Sequence, residues 1–498
     1  MKIDLLGGSY KDKYTQINSQ RTINWYPTYS HSDQVVDSET NSDTGKFNRE
    51  SGKELRTLKP TPGLLLHSSN VGAVSRGAFA INGRGFVVID NILYEVYNDS
   101  SVVSRGTLSA SLPGGTSKVW MEANNNNEVM LADHDYGYIF NTSTNVLTQI
   151  TDVDFPGADT LTSQDNRFIV TKNGRVYFSD LNNGTAWTGV NVYTPSYKAD
   201  QVKAVISLQE EIYNFAENSI EIYYDDGETP FQRVSRSSIQ YGIIAPESLQ
   251  VVANTILCLG KLPNGQPQIL QIAPNHEVSL VAPASILYQI GQYQNLSNSY
   301  AWSYSAPDGA VFYVLTIPAA EKTFVYDLTT KDWHEWSSKI STQSNGVPTY
   351  GRFLGKDHLF LNGKHIVTSF KNGTIYYLDW STFTENGEAI IRQRDTQIYH
   401  SEYKMISVNE LELDINTGNG TLSGQGSSPV IMFRVSKDGG KTFLPERFVK
   451  LGEHGNYNYR TKIRLLGSAR NWVLSFRVSD PIDIAIIGAK AKGSMGAW

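Results

Sequence analysis

Residues 74–108 read VSRGAFAINGRGFVVIDNILYEVYNDSSVVSRGTL. The stretch divides into four short runs, VSRGAFAING, GFVVIDN, ILYEVYND and SSVVSRGTL, each rich in β-branched and aromatic residues or alternating apolar with polar ones. Runs of this kind are half-buried strands, and none carries the 3.6-residue period of a helix. Asn82-Gly83, between the first two runs, is a tight-hairpin dipeptide. Four strands joined by turns, with an apolar layer to cover, form one blade of a larger assembly of sheets.

The same pattern recurs along the chain. SKVWMEANN, NEVMLADHD, YGYIFNTST and NVLTQIT form a second unit, and ADTLTSQDN, RFIVTKNG, RVYFSDLNN and GTAWTGV a third. KAVISLQE, EIYNFAEN, SIEIYYDDG and TPFQRVS form a fourth. Two longer units follow, and then YGRFLGKD, HLFLNGK, HIVTSFKNG and TIYYLDWS. Aligned first strands start near Ser75, Lys118, Asp159, Lys203, Ser248, Tyr300 and Tyr350, a period of roughly 40–50 residues that is typical of propeller blades. About 28 strands cannot remain one open sheet without exposed edges, whereas radial repetition leaves only short, protected ones. The fold class is therefore all-β, a β-propeller of about seven blades, with six or eight also compatible with the spacing. The competing reading is a pair of unrelated β-sandwiches.

At 498 residues the chain holds more than one domain. The expected division is an N-terminal arm with strands and a polar loop (1–73), the propeller (74–397) and a C-terminal β-sandwich (398–498). Within the arm, residues 31–53 are polar and almost without aliphatic side chains, which predicts a solvated loop between two strands packed on the propeller. Such an arm commonly completes a last blade or reaches a neighbour. The single cysteine, Cys258, lies in the apolar run TILCLG and reads as a core residue. No apolar run approaches the length of a membrane span, and the first residues lack a signal-peptide core, so synthesis in a cytosol is expected.

Charge is unevenly distributed. Residues 398–498 carry 13 Lys and Arg against 9 Asp and Glu, a balance of +4, while residues 1–397 carry 30 against 40, a balance of −10. An acidic body of that size does not grip nucleic acid by neutralising phosphates. Strands in the last segment are read at SVNELELDI, PVIMFRVS, FLPERFVKL, YRTKIRLLG, WVLSFRVS and IDIAIIGAKA. Within it Ser436, Asp438, Gly440, Thr442 and Phe443 match an Asp-box, S-x-D-x-G-x-T-F. In this turn Asp438 accepts backbone N–H groups, Gly440 takes positive φ and Phe443 packs beneath. Asp-boxes occur in sialidases, but one box supplies a turn and no catalytic group.

No catalytic set emerges. Asp225 and Asp226 are adjacent in an Asp-Asp-Gly turn and point to opposite faces, unlike the paired carboxylates of a glycosidase. His134, His334, His358 and His365 lack metal-ligand spacing. Residues 439–442, GGKT, lack the earlier glycine of a phosphate loop, because Val435 stands in its place. An enzyme, a cofactor and a metal are not expected.

The order INWYP, L-x-P-T-P-G-L (58–64), V-S-R-G (74–77, read as a turn), SIEIYYDDG, FVYDLTTKDWHEW, KIRLLG and LSFRVSD-x-I resembles the packaged-DNA stabilisation or tail-hub proteins of short-tailed, podovirus-type bacteriophages. The likeness runs from about residue 21 to 486. It implies a head-closure component of the virion, made in the bacterial cytoplasm, that forms a six-fold ring beneath the portal and its adaptor. It also implies retention of packaged DNA, a passive DNA conduit, and a mount for the tail needle or fibre and for tailspikes. On charge balance, Arg447, Lys450, Arg460 and Arg470 are candidates for a basic face that meets the acidic body of a neighbouring copy. A chain ending near Gln397 is then expected to fold as a soluble β-rich monomer. Two alternatives stand beside this reading: a carbohydrate-active or carbohydrate-binding propeller, and a cellular propeller scaffold.

Overall fold

A computed structural model describes residues 2–29, 56–69, 71–109, 118–195, 198, 200–227, 231–235, 237–402 and 404–496. The polar loop expected at 31–53 lies outside them. Among the described residues each of the seven repeats forms an antiparallel sheet of four or more strands. Blade 1 consists of Ser75–Ile81, Arg84–Ile89, Ile92–Val96 and Val102–Thr107. The second strand of each blade is almost wholly buried, because its two faces pack on the blades on either side. Seven apolar clusters seal the seams in succession, from Phe86, Leu93, Met121 and Leu131 between blades 1 and 2 to Leu359, Ile366, Val87 and Ile89 between blades 7 and 1. Cys258 belongs to the seam between blades 4 and 5, where burial pushes its thiol up to about 12.

Two details differ from the sequence reading. Ser75, Arg76 and Gly77 form no turn but open the innermost strand of blade 1. A Cβ on Gly77 would lie 2.4 Å from the Val119 carbonyl oxygen, so glycine lets blade 2 approach. Arg76 beside it is buried and pairs with the buried Asp133 of blade 2. In blade 7 the first strand is Gly355–Leu361, and Tyr350 belongs to a separate hairpin of Ser338–Thr342 with Pro348–Gly351. That hairpin pairs with no blade, and Tyr350 in it precedes the blade's own first strand by five residues.

The ring closes on the N-terminal arm. Gly63–Ser68 is the outer strand of blade 7, antiparallel to Ile375–Asp379 with Leu64 opposite Leu378. Chain that precedes blade 1 therefore locks onto the last blade.

All six strands read in the last segment are present, but the sandwich is not separate. One of its sheets runs Trp25–Tyr29, Arg56–Pro60, Ile486–Met495, Ile406–Ile415, Thr461–Ala469, with Lys2–Ile3 also on Ile486–Met495. The other is a continuation of blade 6. Its outer strand Trp333–Trp336 pairs in parallel with Arg21–Ile23, which pairs with Arg392–Asp395, then Val473–Val478, Val430–Ser436 and Arg447–Lys450, giving nine strands in all. The core between the two sheets holds Trp25, Leu58, Leu411, Phe433, Trp472 and Phe476. The described strands of the arm are built into both bodies. A chain ending near Gln397 would uncover Trp25, Leu58 and the edge of Arg392–Asp395.

Candidate functional site

The two bodies meet at a junction built from residues 5–24, in which Ser9, Ser19, Thr22 and Asn24 are buried between sheets. Arg394, fully buried in the strand Arg392–Asp395, has no carboxylate partner in bonding range among the described residues. Its guanidinium instead donates to the carbonyls of Leu5 (2.7 Å), Leu6 (2.8 Å) and Gly8 (2.9 Å), and to Thr22 Oγ1 and Gln20 Oε1 (both 2.8 Å). Five acceptors use all five N–H groups of the side chain. Burial pulls the guanidinium down to about 10, still charged at neutral pH. Gly7 turns the chain here with φ +137°, and a Cβ would lie 2.4 Å from Gln20 Oε1.

One strand away, Glu335 of blade 6 accepts from Arg21 Nε and Nη2 (3.0 and 2.8 Å), Lys322 Nζ (2.9 Å) and Ser9 Oγ (2.6 Å). Burial alone would raise its carboxyl, but Arg21 and Lys322 hold it well below the usual range. Tyr10 donates its hydroxyl to Asp332 at 2.5 Å. The motif FVYDLTTKDWHEW thus carries the propeller's half of the junction. Its His334 is buried with neither ring nitrogen bonded, and burial pulls its pKa down to about 3.

The Asp-box turn faces the same segment. Asp438 accepts from Lys441 N (3.0 Å), Thr442 N (2.9 Å), Thr442 Oγ1 (2.6 Å) and Ser436 Oγ (2.6 Å). Burial would raise its carboxyl, yet these bonds bring it down to about 2. Gly440 has φ +88° and lies against Ser19 and Thr15, while Phe443 is half-buried with the Arg434 guanidinium 5.0 Å above its ring. Ser19 Oγ in turn donates to the Thr396 carbonyl at 2.8 Å.

The four basic candidates are all exposed and are not brought together by any bond. Arg460 is committed to Glu412 (2.6 and 2.8 Å), and Arg447 donates to the carbonyls of Arg464 (2.8 Å) and Leu465 (3.3 Å). Lys450 and Arg470 have no ion pair among the described residues. Arg464, Lys462 and Lys492 surround Glu410, so much of the sandwich's positive charge is spent on its own carboxylates.

The innermost strands of all seven blades line a central cavity of about 370 Å³, including Trp120, Glu122, Ser163, Ser207, Asp357 and His358. Burial pushes the half-buried Glu122 up to about 7, against a lowering hydrogen bond from Ser163. At the seam between blades 7 and 1, Ser75 Oγ bonds both Asp357 Oδ2 and Thr368 Oγ1 at 2.7 Å. The cavity is far too small for a B-form duplex, whose major groove alone is about 12 Å wide. Asp225 is a turn acid, with Oδ1 accepting Gly227 N at 2.8 Å. Among the described residues no group of three or more His, Cys, Asp or Glu is placed to hold a metal ion, and no helix is long and apolar enough to cross a membrane.

A propeller and a sandwich fused through one continuous sheet, with Arg394 and Glu335 buried at the joint, define a two-body all-β protein. The chain belongs to the bacteriophage P22 Gp10 family: the model described as Bacteriophage P22 Gp10, beta-propeller, matches residues 46–383, and that described as Bacteriophage P22 Gp10, beta-sandwich, matches residues 391–494. It is therefore a phage structural tail protein of the P22 Gp10 type and a component of the virion. A search of curated proteins found no match. Among solved structures, virginiamycin B lyase from Staphylococcus aureus is similar at 12% identity and a TM-score of 0.41, over 64% of this chain and 98% of the lyase. The extracellular domain of a putative one-component system from B. thetaiotaomicron is similar at 10% identity and a TM-score of 0.43, over 81% of this chain and 48% of the other.

Proposed function

We propose that this protein is the tail hub or head-closure component of a short-tailed phage, docking below the portal and its adaptor, retaining packaged DNA and mounting the needle or fibre and the tailspikes. It does so without catalysis, as a homo-oligomer, in a six-fold ring. The observation that carries the reading is the family match over both bodies, supported by the nine-stranded sheet that welds one body to the other. A plug that holds pressurised DNA needs such a joint, since two bodies on a flexible linker would yield at the linker. The conduit cannot be the propeller's own cavity, so it lies on the symmetry axis between copies, where the acidic bodies let a duplex slide without sticking.

The test adds purified protein to filled heads that carry portal and adaptor, and measures DNase-sensitive DNA release together with the symmetry of the added density by electron microscopy. Retained DNA and a six-fold ring are the expected result. Heads that leak as before, or protein that stays monomeric and unbound, would overturn the reading.

A further inference from the structure

A second cavity, of about 690 Å³, opens where blades 5, 6 and 7 meet. Its wall includes Tyr304, Phe360, Trp380, His358, His365 and Ser303, and no Asp, Glu, Lys or Arg. Phe360 leaves 53% of its surface exposed and lays its ring against that of His365, centroids 4.8 Å apart. The two imidazoles are linked, His358 Nε2 to His365 Nδ1 at 3.0 Å, and burial pulls both below their ordinary range, so they are neutral at pH 7. Tyr304 is 4% exposed, yet its hydroxyl has no hydrogen-bond partner among the described residues, and neither has the indole N–H of Trp380. Both atoms are buried beneath the cavity wall, and unpaired donors so placed are rare and costly.

Pro307 and Trp380 also line an adjoining cavity of about 310 Å³, so Trp380 stands between the two. The adjoining cavity is lined by Tyr26, Lys59, Asp308, Asn416 and Asp483 at the joint of propeller and sandwich. There Asp308 is already met by Lys59 (3.0 Å) and the Tyr26 hydroxyl (2.9 Å), while Asp483 adds a second carboxyl, raised by burial. Both volumes fall in the range of ligand sites, about 300–1,000 Å³. Flat aromatic walls, neutral imidazoles and the hydroxyls of Ser303 and Ser305 suit a ring with an apolar C–H face and a rim of hydroxyls. We propose that this double cavity binds a neutral oligosaccharide, one unit against Phe360 and Trp380 and the next over Pro307 toward Asn416. Metal and acid–base chemistry play no part, and binding is independent of ring assembly.

The experiment titrates the full-length protein with neutral oligosaccharides built on glucose, galactose, mannose and N-acetylglucosamine, read by saturation-transfer NMR and by tryptophan fluorescence. At least one should bind with a Kd of roughly 1 mM or tighter. Phe360→Ala and Trp380→Ala should each weaken it roughly three- to tenfold, the worth of an aromatic face. Phe360→Ala removes an exposed ring, so its fold should persist, and unchanged far-ultraviolet circular dichroism confirms that. If no sugar on the panel binds, or if binding survives both substitutions unchanged, the proposal is overturned. DNA retention by filled heads is measured separately, so failure of either reading is seen on its own.

Discussion

Arg394→Ala should release the N-terminal segment from the junction. The substitution removes the donor of five hydrogen bonds and leaves the carbonyls of Leu5, Leu6 and Gly8 buried without it. A bond to a charged donor is worth about 1.5–3 kcal/mol, so five sum to roughly 7–15 kcal/mol. Against that stands the desolvation of a cation with no carboxylate in bonding range among the described residues, several kcal/mol. The pull of burial on this guanidinium, down to about 10, reports the same penalty. The net loss should be about 3–5 kcal/mol, the usual result of removing one side of a buried charged network. Global melting is a poor readout for a two-body chain, which need not unfold in one step. Hydrogen exchange over residues 5–22 and tryptic cleavage at Lys11 and Lys13 report local opening directly, and should accelerate roughly 10²- to 10³-fold. Arg394→Lys, with three donors for five acceptors, should fall between. If both variants keep native protection over residues 5–22, the guanidinium does not hold the arm and the account of the junction is wrong.

Three further outcomes are expected. Glu385 is buried beside Ser338, and burial raises its carboxyl from 4.5 to about 7 despite the Ser338 bond and nearby Arg392. The fold therefore favours the protonated acid: its contribution is full below pH 4.5 and is lost as pH rises through 7, by at most about 3 kcal/mol. Glu385→Gln should then melt with the parent at pH 4.5 and above it at pH 8, and coincident melting at pH 8 would contradict the assignment. Asp438→Ala should cost about 1 kcal/mol and loosen residues 15–19 as well as the turn, with ring formation kept at low temperature; faster exchange confined to the turn would show that the two do not support each other. A chain truncated before residue 398 should aggregate during purification because it bares Trp25 and Leu58, and a soluble, cooperatively melting monomer would show that the propeller stands without the sandwich.

The blades were legible because each repeats one pattern with a period of two along its strands, and periodicity survives without any knowledge of partners. The sandwich strands were legible for the same reason. The junction was legible only in part: RTINWYPT reads as a strand, and Arg21–Ile23 and Trp25–Tyr29 are strands, whereas RQRD is short and polar, looks like loop, and becomes a strand only because sheets flank it on both sides. Arg394 gave no signal of its own, as an arginine in an alternating run reads as solvated. The Asp-box stood out as a motif, but nothing near it in sequence pointed to Ser19 and Thr15, which approach from the other end of the chain. Tyr350 misled for another reason: it belongs to an isolated hairpin that pairs with no blade and precedes the blade's own first strand.

The division of charge also reads differently once its partners are known. A surplus of +4 in the last segment suggests a basic face waiting for an acidic one. In the fold, Arg460, Lys462, Arg464 and Lys492 neutralise Glu410 and Glu412 on the outer face of one sheet, and Arg434 and Arg477 lie near Glu446. Lys437, Lys441, Arg447, Lys450, Arg470 and Lys490 are what is left without an ion pair among the described residues. Exposed pairs made by these six would contribute at most about 1 kcal/mol each, and would fade with salt over a screening length of about 8 Å. In the proposed ring, charge of that strength would orient neighbouring copies but would not hold them closed against packaged DNA. The holding energy has to come from buried area between copies, and Phe448 and Leu465, 68% and 84% exposed on the neighbouring strands Arg447–Lys450 and Thr461–Ala469, are apolar side chains of the sandwich still left to bury.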